Sequence, residues 1–425
     1  MRQPHHSFDL GRAARRGARG FTLVELVIAM SAGLLVSLAT MILSRNATRF
    51  FQHEARISAA QLSATLGMNR ISSDIGRASF LGPRNNLTDT KLCKEGVVLP
   101  ATINTLSGLA IQLAGSEAAH PADLAQSIAA ENNMHPDSIV LSGSFDTVER
   151  FAIQEKVDGV GNTVITLQND NALARLRAQI PPGKVLADVI QPIFKAGRIL
   201  RFIDNGKGQL NVYGYIAGAA VQVVDGVEVV QVTLNSPPAL PKKLANSTCG
   251  LLANSRGTFV SVISRVRYDI RSLKNHPVYG PLVASIPGVP DALSGDDGRA
   301  ELVRVELNND GSEDPATLEL VSEYAVDLKF GVTKGPAVGD PTFFNPLGLT
   351  TIAFGDAAVA TTPELVRAVQ VRLSTRTRAP DRDTPLTSGG RAYRFAVKPA
   401  PLRTRFARMR TLYNTVNLVS QSGFL

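Results

Sequence analysis

The chain has 425 residues, 44% of them hydrophobic and 19% charged, with 35 glycines, 24 prolines and a formal net charge of +9. This composition excludes a disordered chain, and the plentiful glycine and proline favour loops and short strands over a helical bundle. The basic excess is local: residues 1–20 carry Arg2, Arg12, Arg15, Arg16 and Arg19 against one aspartate, a net +4, which leaves 40 basic and 35 acidic residues elsewhere and no expectation of a nucleic-acid partner.

The first element follows the basic stretch. Leu26 to Ser44 reads LVIAMSAGLLVSLATMILS, 19 residues without a charge, and Phe21 to Val24 adds four more before Glu25. About 20 apolar helical residues cross a bilayer core. The arginines precede the run, so residues 1–20 belong on the cytoplasmic side. Three readings compete: a secretory signal removed after the run, a plain single-pass anchor, or a segment cut before the run that leaves the helix on the mature protein. Glu25 separates them. A carboxylate in lipid is costly and marks function, and neither of the first two readings uses it.

Gly20-Phe21-Thr22-Leu23-Val24-Glu25, with a basic leader before it and the apolar run after it, resembles the class III signal of type IV prepilins and type II secretion pseudopilins. The resemblance implies that a prepilin peptidase cuts between Gly20 and Phe21 and methylates the new Phe21 amine. Residues 1–20 are then a removed leader and 405 of the 425 residues remain. Glu25 becomes the fifth mature residue, and its partner is the terminal amine of a neighbouring subunit, which sets axial register during assembly. Two charges are tolerated in a low-dielectric bundle when they are paired. Glu25 also stands near its own helix N-terminus, where the dipole favours a carboxylate.

Residues 21–44 are expected to form the transmembrane half of one helix, and residues 45–82 its amphipathic periplasmic half. No proline occurs until Pro83. Leu62 and Leu66 are four apart, as are Ile71 and Ile75, with Ala78 extending the second stripe and Arg56, Arg70, Asp74 and Arg77 among them. From Thr22 to about Leu81 the helix would be roughly 90 Å long, with an apolar stripe pressed on its own globular domain. A coiled-coil stalk or linker helix is the other reading. Ser73 to Ala78 resembles a segment of the PilW family of minor pilins that often reads D-I-R-x-A-G, with Gly76 here at the usual arginine position and Arg77 after it.

Beyond residue 84 the period changes. Residues 91–113 read as loop with short strands, 116–134 as a short helix or inserted loop, and 138–145 as a strand after a turn. Residues 147–235 read as all-β, with strands at 162–168, 209–224 and 227–234. A loop with Pro237, Pro238 and Pro241 follows. Further strands are expected at 259–273, 299–308, 317–332 and 365–373. These pieces and the ending 406–423 resemble, in order, those of PilW-like minor pilins. The expected fold is α+β: a long N-terminal pilin helix on a large β-rich globular domain, residues 83–425, with an inserted subdomain around 100–245.

The chain has two cysteines, Cys93 and Cys249, without zinc-site spacing. An export context permits a disulfide between them; two buried thiols are the other reading. The stretches SGDDGRAE (294–301) and NNDGSEDPAT (308–317) are turn formers before they are calcium ligands. The six histidines form no metal or catalytic motif. No catalytic residue, metal or cofactor is expected, and the chain reads as an enzyme's substrate rather than an enzyme. The arginine runs Arg372–Arg382 and Arg403–Arg410 read as a solvated face or a subunit contact.

The resemblance implies a minor pilin that helps initiate or cap type IV pilus assembly. It would sit in the inner membrane of a Gram-negative bacterium with its large domain in the periplasm, and later at the tip or base of a pilus. The implied partners are the prepilin peptidase, other minor pilins, the major pilin, the inner-membrane assembly platform and, at the tip, an adhesin. The alternatives are a type II secretion minor pseudopilin and, in a different class, a membrane-anchored periplasmic binding protein or enzyme.

Overall fold

A computed structural model of the chain describes residues 21–113, 132, 134–203, 211–224, 226–243, 247, 249–252, 255–283, 296, 298–336, 348–378, 380, 394–400, 403–418 and 420. The leader and most of 116–134 lie outside the described residues. The chain divides into two units, Met1–Ala55 and Arg56–Leu425. Helix α1 (Leu23–Gly76) is 54 residues long. It is followed by α2 (Ala101–Asn104), β1 (Leu109–Gln112), β2 (Ser138–Gly143), β3 (Phe151–Asp158), β4 (Asn162–Leu167), α3 (Asn171–Ala178), α4 (Leu186–Ile193) and β5 (Ile199–Ile203). Then come β6 (Asn211–Val224), β7 (Val227–Asn235), β8 (Phe259–Arg271), α5 (Gly280–Val283), β9 (Glu301–Glu306), β10 (Glu319–Ser322), β11 (Ala325–Lys334), β12 (Thr350–Ile352), β13 (Val366–Arg376), β14 (Arg394–Ala400) and β15 (Arg403–Asn417).

Within the second unit, the buried face of α1 is Ile57, Ala60, Ala64, Gly67, Met68, Ile71, Asp74 and Ile75. Steps of three and four residues keep these on one side of a helix. Small residues bring the backbone close to the sheets: a Cβ on Gly67 would lie 2.8 Å from Cβ of Ser322. The expected Leu62/Leu66 stripe is not part of this face. Leu62 and Leu66 are 61% and 57% exposed. At about 100° per residue they fall opposite Ala60, Ala64, Gly67 and Ile71, so the Ile71/Ile75/Ala78 stripe takes the core.

The helix also ends earlier than about Leu81, at Gly76. Ser79 and Leu81 adopt positive φ, 61° and 54°. The Ser79 N–H donates to Ser142 O at 2.9 Å, the Ser144 N–H donates to Phe80 O at 2.9 Å, and Arg77 donates to Phe145 O at 2.8 Å. Pairing with the end of β2 outweighs another helical turn.

Strand β8 organises the rest. Its first half pairs with β3 and β5, and its second half with β2 and β9. The ladder β8–β3–β4–β7–β6–β5 returns to β8, so six antiparallel strands close a barrel. Alternate residues point inward: Phe151, Ile153, Ile165, Leu167, Leu200, Phe202, Val212, Ile216, Val230, Val232, Leu234, Val260 and Val262 share one core. Helices α3 and α4 add Leu173, Leu176, Leu186, Ile190 and Ile193 to it. The all-β expectation for 147–235 is corrected here. Asp170 caps α3 by accepting from the Ala172 and Leu173 N–H groups at 2.9 and 3.1 Å, and Leu186, Ile190 and Ile193 give α4 its apolar face. Nor is 100–245 a self-contained insertion, because the barrel borrows β8, while β1 and β2 lie outside the ring.

The second half of β8 lies in an open antiparallel sheet, β1–β2–β8–β9–β10. A second sheet runs β12–β11–β13–β15–β14. The stretch predicted as one strand, 317–332, is two: Tyr324, at φ 53°, separates β10 from β11, and the strands fall in different sheets. A single core joins Met68, Ile71 and Ile75 of α1 to Leu141, Val266, Tyr268 and Leu302 of the first sheet and to Leu328, Phe330, Val371 and Leu373 of the second. The sheets are tied directly as well: Asp137, at the start of β2, accepts from Lys329 Nζ at 2.7 Å, and the Asp137 N–H donates to Leu328 O at 2.7 Å.

One charged group sits in the α1 contact. Asp74 is 3% exposed. Its Oδ2 accepts from the Tyr268 hydroxyl at 2.7 Å and from Arg304 Nε at 2.7 Å, and its Oδ1 lies 3.4 Å from Arg70 NH1. Arg70 also donates to Glu319 at 3.0 and 3.2 Å. Burial penalises the Arg304 cation, but the Asp74 carboxylate more than offsets this and holds its pKa above the ordinary value. Burial, then the Asp74 charge, push the Tyr268 hydroxyl up. Removing one partner of a buried pair leaves the other uncompensated. Asp74→Ala is therefore expected to destabilise the domain by about 3–5 kcal/mol, measured by urea unfolding. Leu62→Ala, on the exposed face of the same helix, should cost less than about 1 kcal/mol.

Candidate assembly site at the amino terminus

Thr22 precedes the first turn of α1, and Glu25 lies three residues on. The Thr22 N–H and hydroxyl both donate to Glu25 Oε2, at 3.0 and 3.1 Å, while the Glu25 N–H donates to Thr22 Oγ1 at 3.2 Å. This is a reciprocal capping box, which satisfies orphan donors of the first turn. The sequence signal is T-x-x-E before an apolar run; reading Glu25 as a charge partner near the positive end of the helix dipole leaves the role of Thr22 out. Only one carboxylate oxygen is engaged: among the described residues, Oε1 takes no hydrogen bond. The box fixes the direction of the carboxylate and leaves an oxygen available. The Thr22 N–H survives a cut before Phe21, so the box does too.

Among the described residues, the apolar side chains that follow have no cover. Phe21, Leu34, Met41 and Leu43 are 86%, 70%, 70% and 69% exposed. The helix is long and apolar enough to cross a membrane, and none of its apolar window is buried. Such a surface is stable only in lipid or against other helices.

Residues 15–41 match the model of the prokaryotic N-terminal methylation motif. The chain carries a prepilin-type signal. With the apolar helix, this signal supports a type IV pilin-like or pseudopilin-like subunit, processed by a prepilin peptidase, anchored in a membrane and assembled with other pilins. No curated protein and no solved structure matches the chain.

The remaining expected sites fall in different places. Gly20 lies outside the described residues. Cys93 and Cys249 are 2% and 6% exposed and form a disulfide, with Cα atoms 5.7 Å apart. It joins the segment after α1 to the loop before β8, against the barrel core. The carboxylates of 308–317 are occupied by the chain's own donors. Asp310 accepts from Ser312, Glu313 from Arg267 and Arg271, and Asp314 from Lys195 and the Ala316 N–H. That is a hairpin turn. In 294–301, Asp296 accepts from the Tyr324 hydroxyl and from Arg378.

Over its described part the run Arg372–Arg382 is not an open basic patch, although Arg378 is 44% exposed and pairs with Asp296. Arg372 donates to Asp327 on the adjacent strand at 2.9 Å. Arg376 is 1% exposed, with its guanidinium over the Tyr324 and Phe395 rings at 5.2 and 5.7 Å. Burial pushes its pKa down to about 10. Strand alternation puts Arg372 and Arg376 on the face of β13 opposite the core residues Val371 and Leu373, where Arg376 is covered by Tyr324 and Phe395; their density in the sequence does not reveal this.

The disulfide links positions 156 residues apart. In the chain-entropy account, closing so long a loop removes freedom from the unfolded state. Cys93→Ser/Cys249→Ser, or reduction, is expected to destabilise the domain by about 2–5 kcal/mol. Limited proteolysis of 237–258 should then become at least tenfold faster, while Asp74→Ala without reduction should not show that local preference.

Proposed function

We propose that this chain is a minor pilin of PilW type, a structural subunit that helps initiate or cap a type IV pilus. The observation that carries the reading is the pairing of a prepilin-type signal with a helix whose apolar half is wholly exposed. Fusion of such a helix to a head beginning at Arg56 and ending at Leu425 adds to it. Repeated subunits must pack side by side along a filament, and a head this large suits an end position better than a repeated one. No catalytic role is proposed. The same signal serves a type II secretion pseudopilin, which remains the second reading.

Assembly in this account proceeds by charge pairing. Cleavage before Phe21 creates an amine at the head of an apolar helix. Oε1 of Glu25, which takes no hydrogen bond among the described residues, accepts from the corresponding amine of a neighbouring subunit. In low dielectric the pair is favourable only when both members are present, so a helix out of register is rejected.

Glu25→Gln separates pairing from capping, because glutamine still completes a capping box but carries no charge. The variant is expected to be cleaved and to remain in the membrane, yet to be recovered in filaments at least tenfold less than wild type. Thr22→Ala removes the cap, costs about 1 kcal/mol at the helix start, and should leave incorporation near normal. Wild-type incorporation of Glu25→Gln would remove the pairing argument. Immunoblots of sheared filaments against membrane fractions give the readout.

A further inference from the structure

Strand β6 has an unpaired edge. Its first part lies inside the barrel ladder, Asn211 to Tyr215 pairing with β5. The last bond on that side is from the Gly197 N–H to Ile216 O at 2.9 Å, beside the Ile216 N–H to Arg198 O at 2.8 Å. A bulge between Ile216 and Gly218 then turns the strand away. From Ala217 to Val224 the strand pairs only with β7, and among the described residues the outer edge meets no backbone partner. The opposite edge of the ribbon is treated differently, since Arg177 of α3 donates to Glu228 O at 3.0 Å.

The free edge reads AGAAVQVV. It has no charge and no proline, the two devices that commonly protect an edge from pairing. Val223 and Val224 are 70% and 46% exposed. One face is fixed by Ala219 and Val221, which pack against the barrel core; Ala220 and Gln222 face solvent. An exposed row of backbone donors and acceptors on a supported strand selects one chemistry, another extended strand.

We propose that this edge pairs antiparallel with the same edge of a second copy of this chain. The sequence is self-complementary in size. A two-fold axis perpendicular to the sheet keeps each face on its own side and sets Val221 opposite Val221. Ala220 then meets Gln222, Ala219 meets Val223 and Gly218 meets Val224, a small residue against a larger one at each step. No charge opposes a like charge in this register. The continuous sheet couples two barrels edge to edge, an isologous contact. The inference rests on the edge alone and stands whether or not the chain is a pilus subunit.

The test uses the purified full-length chain in detergent, with mass read by light scattering. Wild type is expected to be a dimer. Ala220→Lys/Gln222→Lys should weaken association at least tenfold without changing the unfolding midpoint. Val221→Cys should form an interchain disulfide, since facing residues across such a pair have Cβ atoms about 5 Å apart, whereas Glu228→Cys on the covered edge should not. A monomeric wild type would overturn the proposal. So would a dimer that survives the lysine pair, as a helix-mediated dimer would, or a Val221→Cys adduct formed in cells with a different protein.

Discussion

A buried carboxylate decides how the part of α1 after Ala55 packs within the second unit. Asp74 stands on the core face of the helix among Ile71, Ile75 and Met68, where an apolar residue is the default. It is tolerated because Tyr268 on β8 and Arg304 on β9 converge on one oxygen and Arg70 approaches the other. Apolar packing is tolerant of small rotations and slides. A charge with fixed donors is not. A helix rotated by one residue would bury Asp74 without partners, and a helix moved by one turn would leave Arg304 uncompensated. The small residues Ala60, Ala64 and Gly67 let the backbone come near enough for these bonds to form.

The second constraint is β8. Its inward residues serve two cores: Val260 and Val262 fill the barrel, while Val266, Tyr268 and Ile270 lie under α1. Barrel and platform therefore share a backbone, and the Cys93–Cys249 disulfide ties the segment leaving α1 to the loop leading into β8. The amino-terminal half of α1 shows the opposite design. Among the described residues none of its apolar window is buried, and the carboxylate at its start, Glu25, is held by a capping box through one oxygen. Polar pairing inside the head is complete around Asp74. At Glu25 only one carboxylate oxygen is engaged among the described residues.

Much of this was legible in the sequence where the signal is local. Nineteen uncharged residues behind GFTLVE identify the anchor and its signal, and most strands after residue 138 coincide with runs of alternating or apolar residues. What failed depended on distant partners. Leu62/Leu66 and Ile71/Ile75 are equally good stripes, and only the position of the sheets chooses between them. Helices α3 and α4 are short enough to be submerged in a β-rich region, although Asp170 ahead of NALARLRA was a readable cap. Barrel closure depends on β5 pairing with β8 across an intervening hairpin, and no periodicity records that. At the candidate site, Glu25 was legible as an anomaly in an apolar run. Its engagement with Thr22 is written in the sequence as T-x-x-E.

The central claim is that the chain becomes a subunit only after a cut that exposes an amine beside Glu25. Intact mass of the mature protein recovered from membranes tests it most directly. The account predicts a chain of 405 residues beginning at Phe21, its amine carrying one methyl group in place of a hydrogen, with the Cys93–Cys249 bond intact. A chain that still begins at Met1, or one cleaved after Ala39 within the apolar run, would contradict it.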